Sequence, residues 1–347
     1  MAVLVRSIVA AVAIVSLFPS AAHARAGHDY RALVEMYSAR DPQTAVSELA
    51  KWSDNQIDEA IHECIKGCTA ADLKAAAMLH TELACAVIDT RGRFAATHFE
   101  RARQLLTRLV GGSPEPSDIR FAQRWFDFAI GVLISRTYLA PAERMANLGL
   151  ELFPRYANFH VARAAIREVP VSFEWRDMKE APVDDRRAAL RTMRELESAA
   201  AECRVALSLD PANAMARIHL GWIHLVNRDS RARDDLAAAI DAARTDREIY
   251  LAHLFHAALD ERDSRWDGAR THYEAAIHAR PRSQSAHTGL SRIYQLLGQS
   301  DASREQAVLA FAGDDKDEDP WWTYHVGGAD EPLFNELRAE AQNSAKR

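Results

Sequence analysis

Apolar residues in this chain recur at intervals of three and four, and the strict alternation of a half-buried strand is missing. From residue 29 onward the pattern predicts one helix after another. Leu33, Met36 and Tyr37 share a face of a helix over 29–40. Asp41-Pro42 opens the next, because a helix tolerates proline in its first turn. Ser53 and Asp54 cap a third, whose stripe is Ile57, Ile61 and Ile65. Residues 70–89 are apolar on most sides, with Leu73, Met78, Leu79, Leu83 and Val87. A helix over 94–110 follows, and Gly111-Gly112-Ser113-Pro114-Glu115-Pro116 then breaks the chain. Ser117 and Asp118 cap a helix carrying Phe121, Trp125, Phe126 and Phe128, apolar nearly all round and expected to lie deep in the molecule. Helices over 141–153 and 156–169 come next. The stretch from Pro170 to Trp175, with Pro182, interrupts the pattern and marks an expected internal boundary.

A second pattern is laid over the first. Ala269, Tyr273 and Ala276 are spaced by four and three, and Pro281 follows five residues later. Ala199, Cys203 and Ala206 repeat this with Pro211, and Ala142, Ala146 and Gly149 repeat it with Pro154. Three further sets keep the spacing without the proline: Ala95, Phe99 and Ala102; Ala232, Leu236 and Ala239; and Ser303, Ala307 and Ala310. Residues four and three apart lie on one helix face. Small side chains there admit a second helix at close range, and the proline stops the helix. Such a hairpin cannot bury its apolar face alone, so it stacks on copies of itself.

Blocks over 180–213, 214–249, 250–283 and 284–317 carry this period most legibly. Leu220-Gly221, His256-Ala257 and Leu290-Ser291 hold equivalent places in the first helix of each hairpin. Tyr294 and the turn residue Gly298 complete the pattern. These residues resemble the tetratricopeptide repeat family. His224 and Asp260 replace the aromatic of the family pattern, and Arg228 and Ser264 replace its turn glycine. The resemblance implies an all-α fold, a right-handed superhelical solenoid of helical hairpins. It divides the chain into a degenerate hairpin region over 25–170, an irregular insertion over 171–182, repeats over 183–317, and an aromatic cap and tail over 318–347. It also implies a protein- or peptide-binding groove lined by the first helix of each hairpin. Carried onto this chain, the groove positions nominate Met215, Ile218, Trp222, Arg262, Arg292 and Gln295 as binding residues. The first three form one apolar stripe. The arginines are suited to ligand carboxylates. The alternative is that Trp222 and its neighbours are covered by the chain's own aromatic segments.

Composition narrows the rest. The net charge of -6 provides no basic field for a polyanion, so no nucleic-acid partner is expected. Residues 7–18 form a short apolar run, broken by Pro19 and followed by Ala22-His23-Ala24. That is the form of a secretory signal, cleaved after Ala24, and it places the mature chain in the periplasm or outside the cell. No later segment has the length of a membrane span. Cys64 and Cys68 lie four apart beside Gly67, a helix end at which pairing is feasible; the spacing leaves their bonding open. The segment from Asp314 to Pro320 reads as an acidic, mobile connector.

Fourteen histidines invite a metal reading. His253 and His256 are three apart and can chelate, but no wider ligand spacing accompanies them. His253 and His287 occupy the same position in successive hairpins, too far apart to share an ion. Nucleophile motifs and phosphate-cradling glycine loops are lacking. No catalytic residue, cofactor or metal is therefore assigned. The expected function is a non-catalytic binding scaffold or assembly factor of a bacterial cell-envelope system. The alternatives are an envelope-directed hydrolase and a self-associating structural component. Intact mass of protein recovered from the periplasm tests export: a species beginning at Arg25 is expected, and one still carrying Met1 rules out cleavage.

Overall fold

The computed structural model describes the backbone of residues 30–39, 41–177, 186–312, 319 and 331–344, with side chains at all of these except 171–177, 186–190 and 331. The signal segment, Trp321, Trp322 and Tyr324 lie outside the described residues. Every regular element among the described residues is an α-helix. The chain forms two compact units, Met1–Pro154 with Gly328–Arg347, and Arg155–Gly327.

The second unit contains α8 (Asn158–Asp177), α9 (Arg186–Leu209), α10 (Ala214–Val226), α11 (Ala232–Ala242), α12 (Asp246–Arg262), α13 (Trp266–Ala279), α14 (Gln284–Leu296) and α15 (Ser300–Phe311). They pair as antiparallel hairpins, α8 with α9, α10 with α11, α12 with α13 and α14 with α15. From α10 onward the first helix of each hairpin packs on both helices of the hairpin before it. This is the expected solenoid stacking, but its start differs from the sequence pattern. Residues 171–177 were expected to be irregular and instead continue α8, which carries Pro170 inside it. A proline forfeits one helical hydrogen bond. The buried run Ala164, Ala165, Glu168 and Val169 immediately before it keeps the helix seated. The stack therefore begins at residue 158, and residues 186–209 are the second helix of that hairpin.

The small-residue spacing is the seam of each pair. Ala199, Cys203, Ala206, Ala232, Leu236, Ala239, Ala269 and Ala276 are fully buried, and Tyr273 nearly so. Gly221 belongs to this seam. A β-carbon there would lie 2.6 Å from Leu236 Cδ2, so Leu236 is the residue that faces it. Gly289 does the same between hairpins: a β-carbon would lie 2.3 Å from the Tyr273 ring.

The first unit contains α1 (Tyr30–Ser38), α2 (Pro42–Leu49), α3 (Asp54–Gly67), α4 (Ala70–Val87), α5 (Gly92–Val110), α6 (Pro116–Ser135), α7 (Leu139–Leu152) and α16 (Glu331–Ser344). Ser53 and Thr69 close capping boxes at α3 and α4. The cap of α6 is Glu115 with Asp118, two residues earlier than the sequence pattern places it. Cys64 and Cys68 are disulfide-bonded at the end of α3. Helix α4 is buried nearly all round, including Lys74, His80, Thr81 and Glu82. Buried polar groups require partners, and each of these has one. Lys74 Nζ pairs with Asp118 at 2.7 Å. His80 Nε2 meets the Tyr30 hydroxyl at 3.0 Å, and its Nδ1 meets His98 Nδ1 at 2.8 Å. Thr81 Oγ1 accepts from Trp125 Nε1 at 2.7 Å.

Glu82 accepts from Tyr37 and from Arg338 of α16, both at 2.6 Å. The last helix thus closes the first unit. Its Phe334 stacks on Phe128 at 5.1 Å, and Leu337 and Ala341 are buried. The sequence reading expected this region to cap the repeats. The reason for the difference lies in α4, whose remaining apolar side and buried charges need cover that α16 supplies.

One turn geometry recurs four times. Thr137, Arg228, Ser264 and Gly298 all have positive φ, at 60°, 56°, 57° and 73°. Each donates to the carbonyl three residues back, and each following residue donates five back, as in Tyr138 to Leu133, Asp229 to His224, Arg265 to Asp260 and Gln299 to Tyr294. This is the Schellman motif. Thr137 places it between α6 and α7, so the first unit holds a hairpin of the same type. Only glycine adopts this conformation without cost, and an L-residue forfeits about 1–2 kcal/mol. Thr137→Gly and Ser264→Gly should therefore each raise the urea midpoint by roughly 1 kcal/mol of stability. Unchanged or lowered midpoints in both would show that these turns are not held in the left-handed conformation.

Candidate binding face

The first helices α10, α12 and α14 present the groove positions. The structure closes one end of that groove and opens the other. Ile218 is fully buried, and Trp222 is 7% exposed. Both belong to the core cluster with Ala164, Leu251 and Leu254, and half-buried Met215 packs against it. The apolar stripe nominated for a ligand is thus filled from within. Helix α8 packs on α10 here, and Glu168 reaches His219 Nδ1 at 2.9 Å, both groups buried. The chain itself therefore covers this face of α10.

The arginines are also engaged internally. Arg292 makes a two-pronged pair with Glu261, with Nη2 at 2.6 Å, and the Tyr273 hydroxyl donates to the same carboxylate at 3.0 Å. Burial raises the pKa of Tyr273, and the Glu261 charge adds to the effect. The bond to Glu261 raises that of Arg292. Arg262 Nε donates to Asp263 at 2.9 Å. Arg292 thus ties α14 to α12, and Arg262 Nη1 reaches the Leu225 carbonyl of α10 at 3.4 Å, so a ligand carboxylate would have to displace Glu261 or Asp263. Gln295, Thr288 and Arg292 itself are exposed on α14.

Of the acidic segment from Asp314 to Pro320, Asp319 alone is among the described residues, and it is held in place. Asp319 is buried; it accepts from the Tyr250 hydroxyl at 2.6 Å and from the Ser285 amide at 2.7 Å. It thereby caps the first turn of α14, where a carboxylate is favoured. Burial together with the Asp319 charge raises the pKa of Tyr250. Sequence offered no signal for this contact, which joins positions sixty-nine residues apart.

The histidine column resolves into contacts within single hairpins. His253 Nδ1 meets His272 Nδ1 at 3.0 Å, and His287 Nδ1 meets Gln306 at 2.7 Å, in each case nineteen residues on. Seam, period, turn and stacking agree. The hairpins are those of the tetratricopeptide fold.

No protein-family model matches the chain, and no curated protein does. Solved structures match it in part. A thermophilic tetratricopeptide-repeat protein of Thermus thermophilus has 16% identity and a TM-score of 0.40, over 63% of this chain and 100% of that one. PilW, a type IV pilus biogenesis factor, has 16% identity and a TM-score of 0.41, over 62% and 91%. IFIT1 with Gppp-AAAA has 12% identity and a TM-score of 0.43, over 82% and 67%. The fold assignment rests on this chain's own geometry. Among the described residues no helix is long and apolar enough to cross a membrane.

The Asp319 anchor can be tested directly. Asp319→Ala leaves a buried hydroxyl and a helix-end amide without their acceptor, which costs about 1–3 kcal/mol. A urea midpoint identical to that of the unaltered protein would show that Asp319 does not seat there.

Proposed function

We propose that this chain is a non-catalytic protein- or peptide-binding scaffold of a bacterial cell envelope, and that it binds at the open end of its second unit. The observation that carries the reading is the last hairpin. Leu296, Val308, Leu309 and Phe311 are 54%, 64%, 44% and 75% exposed, and Phe311 stands where Ile240 and Ile277 of the two preceding hairpins are half-buried. Ser303 and Ala307, which keep the small-residue spacing on α15, are only half-buried. This is the surface on which a further hairpin would stack. Exposed apolar area of this kind marks interaction surfaces. The partner chemistry that fits it is an amphipathic helix laid along α15. The signal-type N-terminus supports an envelope location, and so does the Cys64–Cys68 disulfide, since such bonds persist in oxidising compartments.

The test uses the mature chain from residue 25. Crosslinked capture from the envelope fraction should recover a defined partner. Leu309→Ser with Phe311→Ser should reduce that recovery about tenfold or more, equivalent to about 1.4 kcal/mol, with helical circular dichroism unchanged. Equal capture by the folded variant removes this surface as the site. A sedimentation coefficient that rises with concentration in the unaltered protein, and not in the variant, would make a second copy the occupant.

A further inference from the structure

Between α12 and α13 the chain builds an arrangement that sequence spacing did not reveal. His256 and Asp260 are four apart on α12 and so share a face. His272 reaches the same point from α13. One ligand-type atom from each lies within 4.8 Å of the others. Asp260 Oδ2 is 3.7 Å from His256 Nδ1 and 3.9 Å from His272 Nε2. These separations exceed a hydrogen bond. They lie within the span of two metal–ligand bonds of about 2 Å each. His256 and Asp260 are buried, and His256 Nδ1 has no hydrogen-bond partner.

We infer that His256, Asp260 and His272 form a binding site for a single divalent transition metal ion of the zinc class. Two imidazoles and one carboxylate suit such an ion, whereas magnesium and calcium favour all-oxygen sites. The surroundings orient the ligands. His272 Nδ1 is held by His253, which directs Nε2 towards Asp260. Such outer contacts fix the ring and tautomer of a metal-bound histidine. Asp260 Oδ1 is held by Arg233 at 2.7 Å and faces Arg265 at 3.6 Å, which leaves Oδ2 turned to the imidazoles. Gly268 keeps that oxygen uncrowded, since a β-carbon there would lie 2.4 Å from it.

Burial lowers the pKa of His253 and His272 to about 4, and each is further lowered by a neighbouring histidine. Burial also lowers that of His256, against the pull of Asp260. Each shift favours the neutral imidazole, in which one ring nitrogen carries a proton and the other offers a lone pair. An ion here ties the two helices of one hairpin together and keeps coordination positions open for water or a ligand donor atom. The competing arrangement is a structural Asp260–Arg233 pair with a water among the three side chains.

The experiment is equilibrium dialysis of the metal-free mature protein against micromolar Zn2+, with bound metal measured per chain, followed by replacement with Co2+. The result expected is one equivalent, a rise in melting temperature, and the intense visible bands of low-coordinate Co2+. His272→Gln and His256→Gln should each lose the equivalent, while His278→Gln on the exposed side of α13 keeps it. No retained ion, or retention unchanged in both site variants, overturns the proposal. If a site variant loses helicity, the Co2+ spectrum of the unaltered protein decides: the pale spectrum of the aquo ion overturns it as well.

Discussion

The structure depends on the close approach of two helices across small side chains. Leu236 packs where only Gly221 leaves room, and Tyr273 lies where only Gly289 does. Dispersion forces fall off within a fraction of an ångström, so a seam this tight rewards one register and penalises the rest. Other features follow from it. The connection between the helices must be short, so four of the hairpins turn through a left-handed residue, even where that residue is Thr137 or Arg228. The face opposite the seam remains apolar, so hairpins stack. A stack must end, and the last hairpin keeps Phe311 in solvent.

Polar groups inside such a stack are held by the same rule in reverse. Lys74 and Glu82 on α4 are buried charges, and removing a partner from such a pair costs far more than an exposed pair is worth. Arg338 and Glu340 come from the far end of the chain to meet them. Helix α16 is therefore integral to the first unit, however distant in sequence. In the second unit, Glu261 with Arg292 and Asp260 with Arg233 join successive hairpins. Side chains that resemble ligand-binding groups in isolation act here as ties between repeats.

This redistribution bears on where the proposed binding surface lies. A groove whose apolar end is filled by Ile218 and Trp222, and whose arginines are already paired, has little left with which to attract a ligand. Exposed apolar side chains collect on α15 instead. The histidines and Asp260 between α12 and α13 form a separate locus in the interior of the array, where a ligand would be an ion rather than a chain.

The sequence by itself determined the all-α class, the hairpin period, the seam residues Ala199, Cys203 and Ala206, and the positions of the turns at Arg228, Ser264 and Gly298. All of these depend on spacings within one or two helices, where periodicity dictates which side chains share a face. Only the tertiary structure decided the rest. It extended α8 through Pro170, placed α16 on α4, seated Asp319 on Tyr250 and Ser285, and filled the stripe at Trp222. It also brought His272 to His256 and Asp260. These contacts join residues that periodicity cannot relate, because a helix face records that it needs a partner and carries no record of which one. Covering a buried charge or an apolar stripe is settled by what the folded chain can bring to it.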